Sequence, residues 1–214
     1  MRMMIEDFGA QVASVWEGLR STTRSLIVSA LQQPAATTPA TPPARGSGGG
    51  FRYDARADWE LSRLLSVLDE RAADSSASMN TTQTSGLKRM AEATASVLES
   101  QTQSAEVFTQ LVERAHRLRD YKRIDALADA LLTRFAPSEV CELARSPGAV
   151  VRALAMEALA QSPTTTLLQL LSDPVDAEIA RDALERQATE YESELARQVV
   201  NALRQADENE EDEI

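Results

Sequence analysis

What this sequence has least of is reactive and aromatic side chains. Cys141 is the one cysteine, which excludes an internal disulfide and fits a reducing compartment. His116 is the one histidine, so the usual Cys and His zinc sites have no donor set here. Cys141 follows Val140 and stands two residues before Leu143 on an apolar helix face. It reads as a buried structural thiol rather than as the partner of His116 in a nucleophilic pair. Aromatics make up 4% of the chain, and no alternating Val, Ile, Thr or aromatic run and no Asn-Gly turn marks a hairpin. Gly46 and Gly48 to Gly50 follow Pro and Ser with no strand before them, so they do not form a phosphate-cradling loop. No stretch nears the roughly 18 apolar residues needed to cross a bilayer. The opening residues acquire acids at Glu6 and Asp7 with no apolar core after them, so no secretion signal is expected. These scarcities predict a cytoplasmic protein that is not an enzyme and holds no cofactor or metal.

What is present favours helices. Hydrophobic residues make up 43% of the chain, and Leu and Ala carry most of that content. The net charge is −11, from 33 acids and 22 bases. Six of the acids crowd into 207–214, and without them the charge is −5. An acidic chain repels DNA and anionic lipid at long range, which disfavours nucleic acid as a partner.

Periodicity divides the chain. Residues 3–32 read as one helix, with Ile5, Phe8, Val12, Val15, Trp16, Leu19 and Leu26 on one face and Gly9 and Gly18 weakening it. Residues 34–50 are a Pro-rich then Gly-rich stretch, expected to be a disordered linker. This makes 1–33 a tethered docking helix. A helical hairpin region follows at 51–118. Within it a heptad register runs from Leu87 through Met90, Thr94, Val97, Gln101, Ser104, Phe108, Leu111 and Ala115 to Leu118. Its polar middle, Gln101 and Ser104, argues for two helices or one long helix on a bundle. From 119 to 206 the pattern becomes short helices separated by Pro-bearing turns, and 207–214 is expected to be a disordered acidic segment.

Two stretches about 27 residues apart share a layout. The first runs Leu143-Ala-Arg-Ser-Pro-Gly-Ala-Val-Val-Arg-Ala-Leu-Ala-Met-Glu-Ala-Leu159 and the second Leu170-Leu-Ser-Asp-Pro-Val-Asp-Ala-Glu-Ile-Ala-Arg-Asp-Ala-Leu184. In each, a helix ends, Ser146-Pro147 or Asp173-Pro174 turns the chain, and a new amphipathic helix opens. On these residues the segment 121–187 resembles HEAT-type repeats and the related leucine-rich-repeat-variant solenoids. The resemblance implies an α-solenoid that binds other proteins and carries no catalytic residues. A plain helical bundle with Pro-rich turns is the competing architecture.

The expectation is therefore an all-α adaptor for protein partners. One binding element would be the tethered helix, anchored by Phe8, Val12, Trp16 and Leu19. The other would be the one local reversal of charge, Arg114, Arg117, Lys122 and Arg123. That run could take an acidic partner, a phosphate or the chain's own acidic segment, or simply be a solvated turn. Two alternatives stay open: a homo-oligomer built through 87–118, and nucleic-acid binding through 114–123.

Overall fold

The computed structural model describes residues 5–32, 53–74 and 79–212. Among them the chain is all-helical, with eleven α-helices and one short 3-10 helix, Ile5–Phe8. No described helix is long and apolar enough to cross a membrane. The expected linker at 34–50 lies outside the described residues. The chain divides into two compact units, Met1–Thr102 and Gln103–Ile214.

The first unit is built on a hairpin of α3 (Ala55–Ala73) and α4 (Thr81–Gln101). Asp54 starts α3 by accepting from the Arg56 and Ala57 amides at 3.1 and 3.2 Å. Asn80 and Gln83 form a reciprocal capping box at the start of α4, with bonds of 2.9 and 3.0 Å. Leu61, Leu64, Leu65 and Leu68 from α3 are fully buried, as are Leu87 and Leu98 from α4.

The single helix expected over 3–32 is instead three pieces: the 3-10 helix, α1 (Ala10–Gly18) and α2 (Ser21–Gln32). Gly9 makes the first corner at φ 109°, in the region that favours glycine. Leu19 makes the second in an extended conformation, φ −71° and ψ 146°. α1 packs on α3, and α2 packs on α4 and α3. The reason lies in α3. Glu60, 4% exposed, accepts from the Arg20 amide at 3.2 Å and from the Thr23 hydroxyl at 2.5 Å. A carboxylate on the first turn of α2 satisfies groups that a continuous helix would have bonded internally, and it complements the helix dipole. The gain favours breaking the helix and folding it back.

The heptad register from Leu87 to Leu118 also breaks. α4 ends at Gln101 and α5 (Ala105–Arg117) begins the second unit, so the unit boundary falls inside the expected hairpin region 51–118. The polar register positions Gln101 and Ser104 flank the break, because a helix crossing there would bury polar groups without gain. Leu87, Met90 and Leu98 are buried in one unit, and Phe108, Leu111 and Ala115 in the other. Most of the apolar stripe is thus packed within the chain, with its last position, Leu118, exposed.

In the second unit, α5 pairs with α6 (Tyr121–Arg134), α7 (Pro137–Ala144) with α8 (Ala149–Gln161), and α9 (Thr164–Leu170) with α10 (Ala177–Thr189). α5 packs on α7, and α7 on α9. α6 packs on α8, and α8 on α10. The pairs therefore stack in two rows, and α11 (Glu194–Asp212) lies against α10. Side-chain turn bonds follow α7 and α9. Ser146 Oγ accepts from the Gly148 amide at 3.2 Å, and Asp173 Oδ1 from the Val175 amide at 2.9 Å. Ala155, Ala180, Ala183 and Ala196 are fully buried, and their small size lets the helices approach. The acidic stretch expected to be disordered from 207 is helical through Asp212, as the end of α11. Helix propensity of Glu and continuity with a docked helix extend it.

Candidate protein-binding surfaces

The sequence-predicted residues separate into two places. Phe8, Val12 and Leu19 are 2%, 1% and 4% exposed inside the first unit, and Trp16 is half-buried. They are therefore core side chains and not the anchors of a tethered docking helix. The cover of this stripe is the chain's own α3–α4 hairpin. Arg71 Nε fastens the segment by donating to the Phe8 carbonyl at 2.9 Å, and Arg89 Nη2 donates to the Leu31 carbonyl at 2.7 Å. Beside Leu19 the exposed Trp59, with the Arg63 guanidinium 5.7 Å from its ring, borders a notch of about 60 Å³.

The four cations fall at the corner between α5 and α6, but not as one cluster. Arg114 is 4% exposed and belongs to the interior. Arg123 is half-buried, and its amide donates to Asp120 Oδ1 at 3.2 Å, capping α6. Arg117 and Lys122 are exposed, together with His116 and Arg119. The corner is a left-handed helix stop. The Arg119 amide donates to the His116 carbonyl at 3.0 Å, the Asp120 amide to the Ala115 carbonyl at 2.9 Å, and Arg119 holds φ 57°. Glycine is the ordinary occupant of that position, so an arginine there carries a conformational cost. The stop turns Leu118 and Tyr121 outward, 55% and 61% exposed, among the cations. Sequence reasoning caught the charge and missed these two apolar neighbours.

A groove lies between α8, α10 and α11, with a volume of about 450 Å³. Met156, Ala188 and Val200 form an apolar floor, and Asp182, Glu185 and Arg204 line its polar margin. Arg204 Nη2 donates to Glu185 Oε1 at 3.1 Å across it. A hydrogen-bonded cluster adjoins the groove through Arg186. Glu157 on α8 accepts from Gln161 Nε2 at 2.8 Å, from Arg186 Nη2 of α10 at 3.0 Å, and from the Tyr191 hydroxyl. The bonds from Tyr191 and Gln161 hold the Glu157 carboxyl below its ordinary value against the opposing effect of burial, and Arg186 adds to the lowering. The Tyr191 phenol is raised in turn by the same carboxylate. These lining residues come from three helices, so no single periodicity marks them. The available signal was the spacing of Arg197, Asn201 and Arg204 along one side of α11.

Chemistry is scarce elsewhere. Cys141 is fully buried, and desolvation with nearby Asp176 raises its thiol to about 11, which favours the protonated thiol at neutral pH. No group of three metal-ligating side chains occurs among the described residues. No family model, curated protein or solved structure matches this chain.

Proposed function

We propose that the chain is a non-enzymatic protein-interaction scaffold of the cytoplasm. Its second unit is read as a short α-solenoid in the HEAT manner, which presents the groove of α8, α10 and α11 to a segment of a protein partner. The groove carries the reading: an apolar floor of Met156, Ala188 and Val200 inside a margin of both charges suits a peptide with one or two apolar side chains and polar flanks. The stacking supports it. The second-row helices begin at Tyr121, Ala149 and Ala177, each 28 residues after the last, as in a repeat array.

The test fills the groove from its exposed rim. Thr189→Arg and Asn201→Arg, made together, should abolish capture of a partner that wild type retains, with the melting temperature unchanged. Lys122→Glu should leave that capture intact. A partner retained equally by wild type and the Thr189/Asn201 variant would refute the groove as the binding surface.

A further inference from the structure

Resting on the reading of the groove of α8, α10 and α11 as a binding surface, we propose that α11 is its hinged wall. The helix swings about the connector 190–193 and is held shut by the hydrogen bond from Tyr191 to Glu157. Thin packing points to it first. Along 194–206 the buried side chains of α11 are Ala196 and Val200, whereas α10 buries Ala180, Ala183, Leu184, Gln187 and Ala188. The extended contact of α11 is with α10, and Leu195 on it is exposed while Val199 and Leu203 are half-buried. A helix held by an alanine and a valine lies at the low end of local stability, where a segment opens without the rest of the fold. The polar ties along the helix are weak. Arg197 donates to Glu194 of α11 itself at 2.7 Å, which does not fasten the helix to anything. The pair of Arg204 with Glu185 of α10, at 3.1 Å, is exposed on both sides and screened by salt.

The connector supplies both a hinge and a latch. Glu192 holds φ 53°, a left-handed conformation that is strained for a residue with a side chain. Hinges are short stretches at element ends that absorb changes in φ and ψ. One residue earlier, the Tyr191 hydroxyl donates to Glu157 Oε1 of α8. Arg186 of α10 donates to the other oxygen of that carboxylate at 3.0 Å and to Glu190 at 2.9 Å, which fixes the acceptor in place. The connector is thereby tied across α10 to α8, at the end of α11 where a swing begins. Opening uncovers the α10 face against which Ala196 and Val200 are buried and joins it to the apolar floor at Met156 and Ala188. The closed groove holds one or two apolar side chains, and the open one offers a strip along α10.

The experiment is amide hydrogen exchange of the full chain, with no partner added, resolved to single residues by NMR. Residues 194–206 should share one level of protection, about tenfold or more below that of α10, because a hinged helix opens as a unit. Tyr191→Phe removes the latch alone. It should lower the protection of 194–206 by about a further tenfold, the effect of one hydrogen bond to a charged acceptor, and leave α5 to α7 unchanged. Glu192→Gly relaxes the closed hinge and should raise that protection by about threefold. Protection that declines steadily toward 206 is ordinary fraying and would overturn the proposal. So would 194–206 exchanging together with α10, a Tyr191→Phe variant whose α11 exchanges as wild type does, or lower protection in Glu192→Gly. A partner still captured by the Thr189/Asn201 variant, with 194–206 opening as a unit, would refute the groove as the binding surface and leave the hinge standing.

Discussion

At the scale of the residue, Glu60 decides how the first hundred residues fold. Burial raises its carboxyl, but the hydrogen bond from Thr23, the Arg20 amide and the Arg20 charge together bring it below its ordinary value of 4.5. A group with a depressed folded value contributes stability above its unfolded value and loses it as pH falls through the folded one. Glu60→Gln should therefore lower the urea midpoint at pH 7, and the gap to wild type should close as the pH is taken below about 4.5, the ordinary carboxylate range. Glu60→Ala, which leaves the Thr23 hydroxyl and Arg20 amide without their acceptor, should cost about 2–3 kcal/mol. At the corner the sign reverses. Arg119→Gly should stabilise by about 0.5–1 kcal/mol, read by thermal melting, because φ 57° is strained for arginine and ordinary for glycine. Gly9→Ala, at φ 109°, should destabilise by about 1 kcal/mol or more in the same assay. Neither Glu60 nor Arg119 was legible as special. Thr23 and Glu60 are separated by 37 positions, and no spacing rule links them.

At the scale of the element, what was legible follows from local chemistry. The turns at Ser146-Pro147 and Asp173-Pro174 were readable because Pro, Ser and Asp stop and start helices through their own backbone geometry. The break between α4 and α5 was foreshadowed by Gln101 and Ser104, polar at positions where a continuous helix needs apolar side chains. The helix over 3–32 was misread because an apolar stripe states that a face must be buried and not which surface will bury it. The acidic end of α11 was misread because composition alone does not reveal a docked helix upstream of it. Asn80→Ala should test the local logic directly. It removes one half of the capping box of α4 and should cost about 1 kcal/mol in chemical unfolding.

At the scale of the molecule, two compact units imply two separable stabilities. Residues 103–214, expressed alone, should give a cooperative helical melt, and the absence of one would show that this unit depends on the remainder of the chain. Deleting residues 1–50 removes Phe8, Val12, Leu19 and Ile27, all 4% exposed or less. Each fully buried side chain of this kind contributes about 1.5–3 kcal/mol, and domains are stable by only about 5–15 kcal/mol. The deletion should unfold the first unit, seen as loss of helical signal at 25 °C, and leave the melt of 103–214 unchanged.

The clamps on α2 bear on synthesis. Its first turn is closed by Glu60 and its last by Arg89, which lies 58 residues beyond the carbonyl it caps. At about 5–20 residues per second, a ribosome takes about 3–12 seconds to deliver Arg89 after Leu31. Through that interval α1 and α2 have been made and α3 is being added, while α4, which packs on α2, is incomplete. The part of the apolar stripe that α4 covers therefore stays open until α4 has been made. The first unit closes only when α4 leaves the exit tunnel.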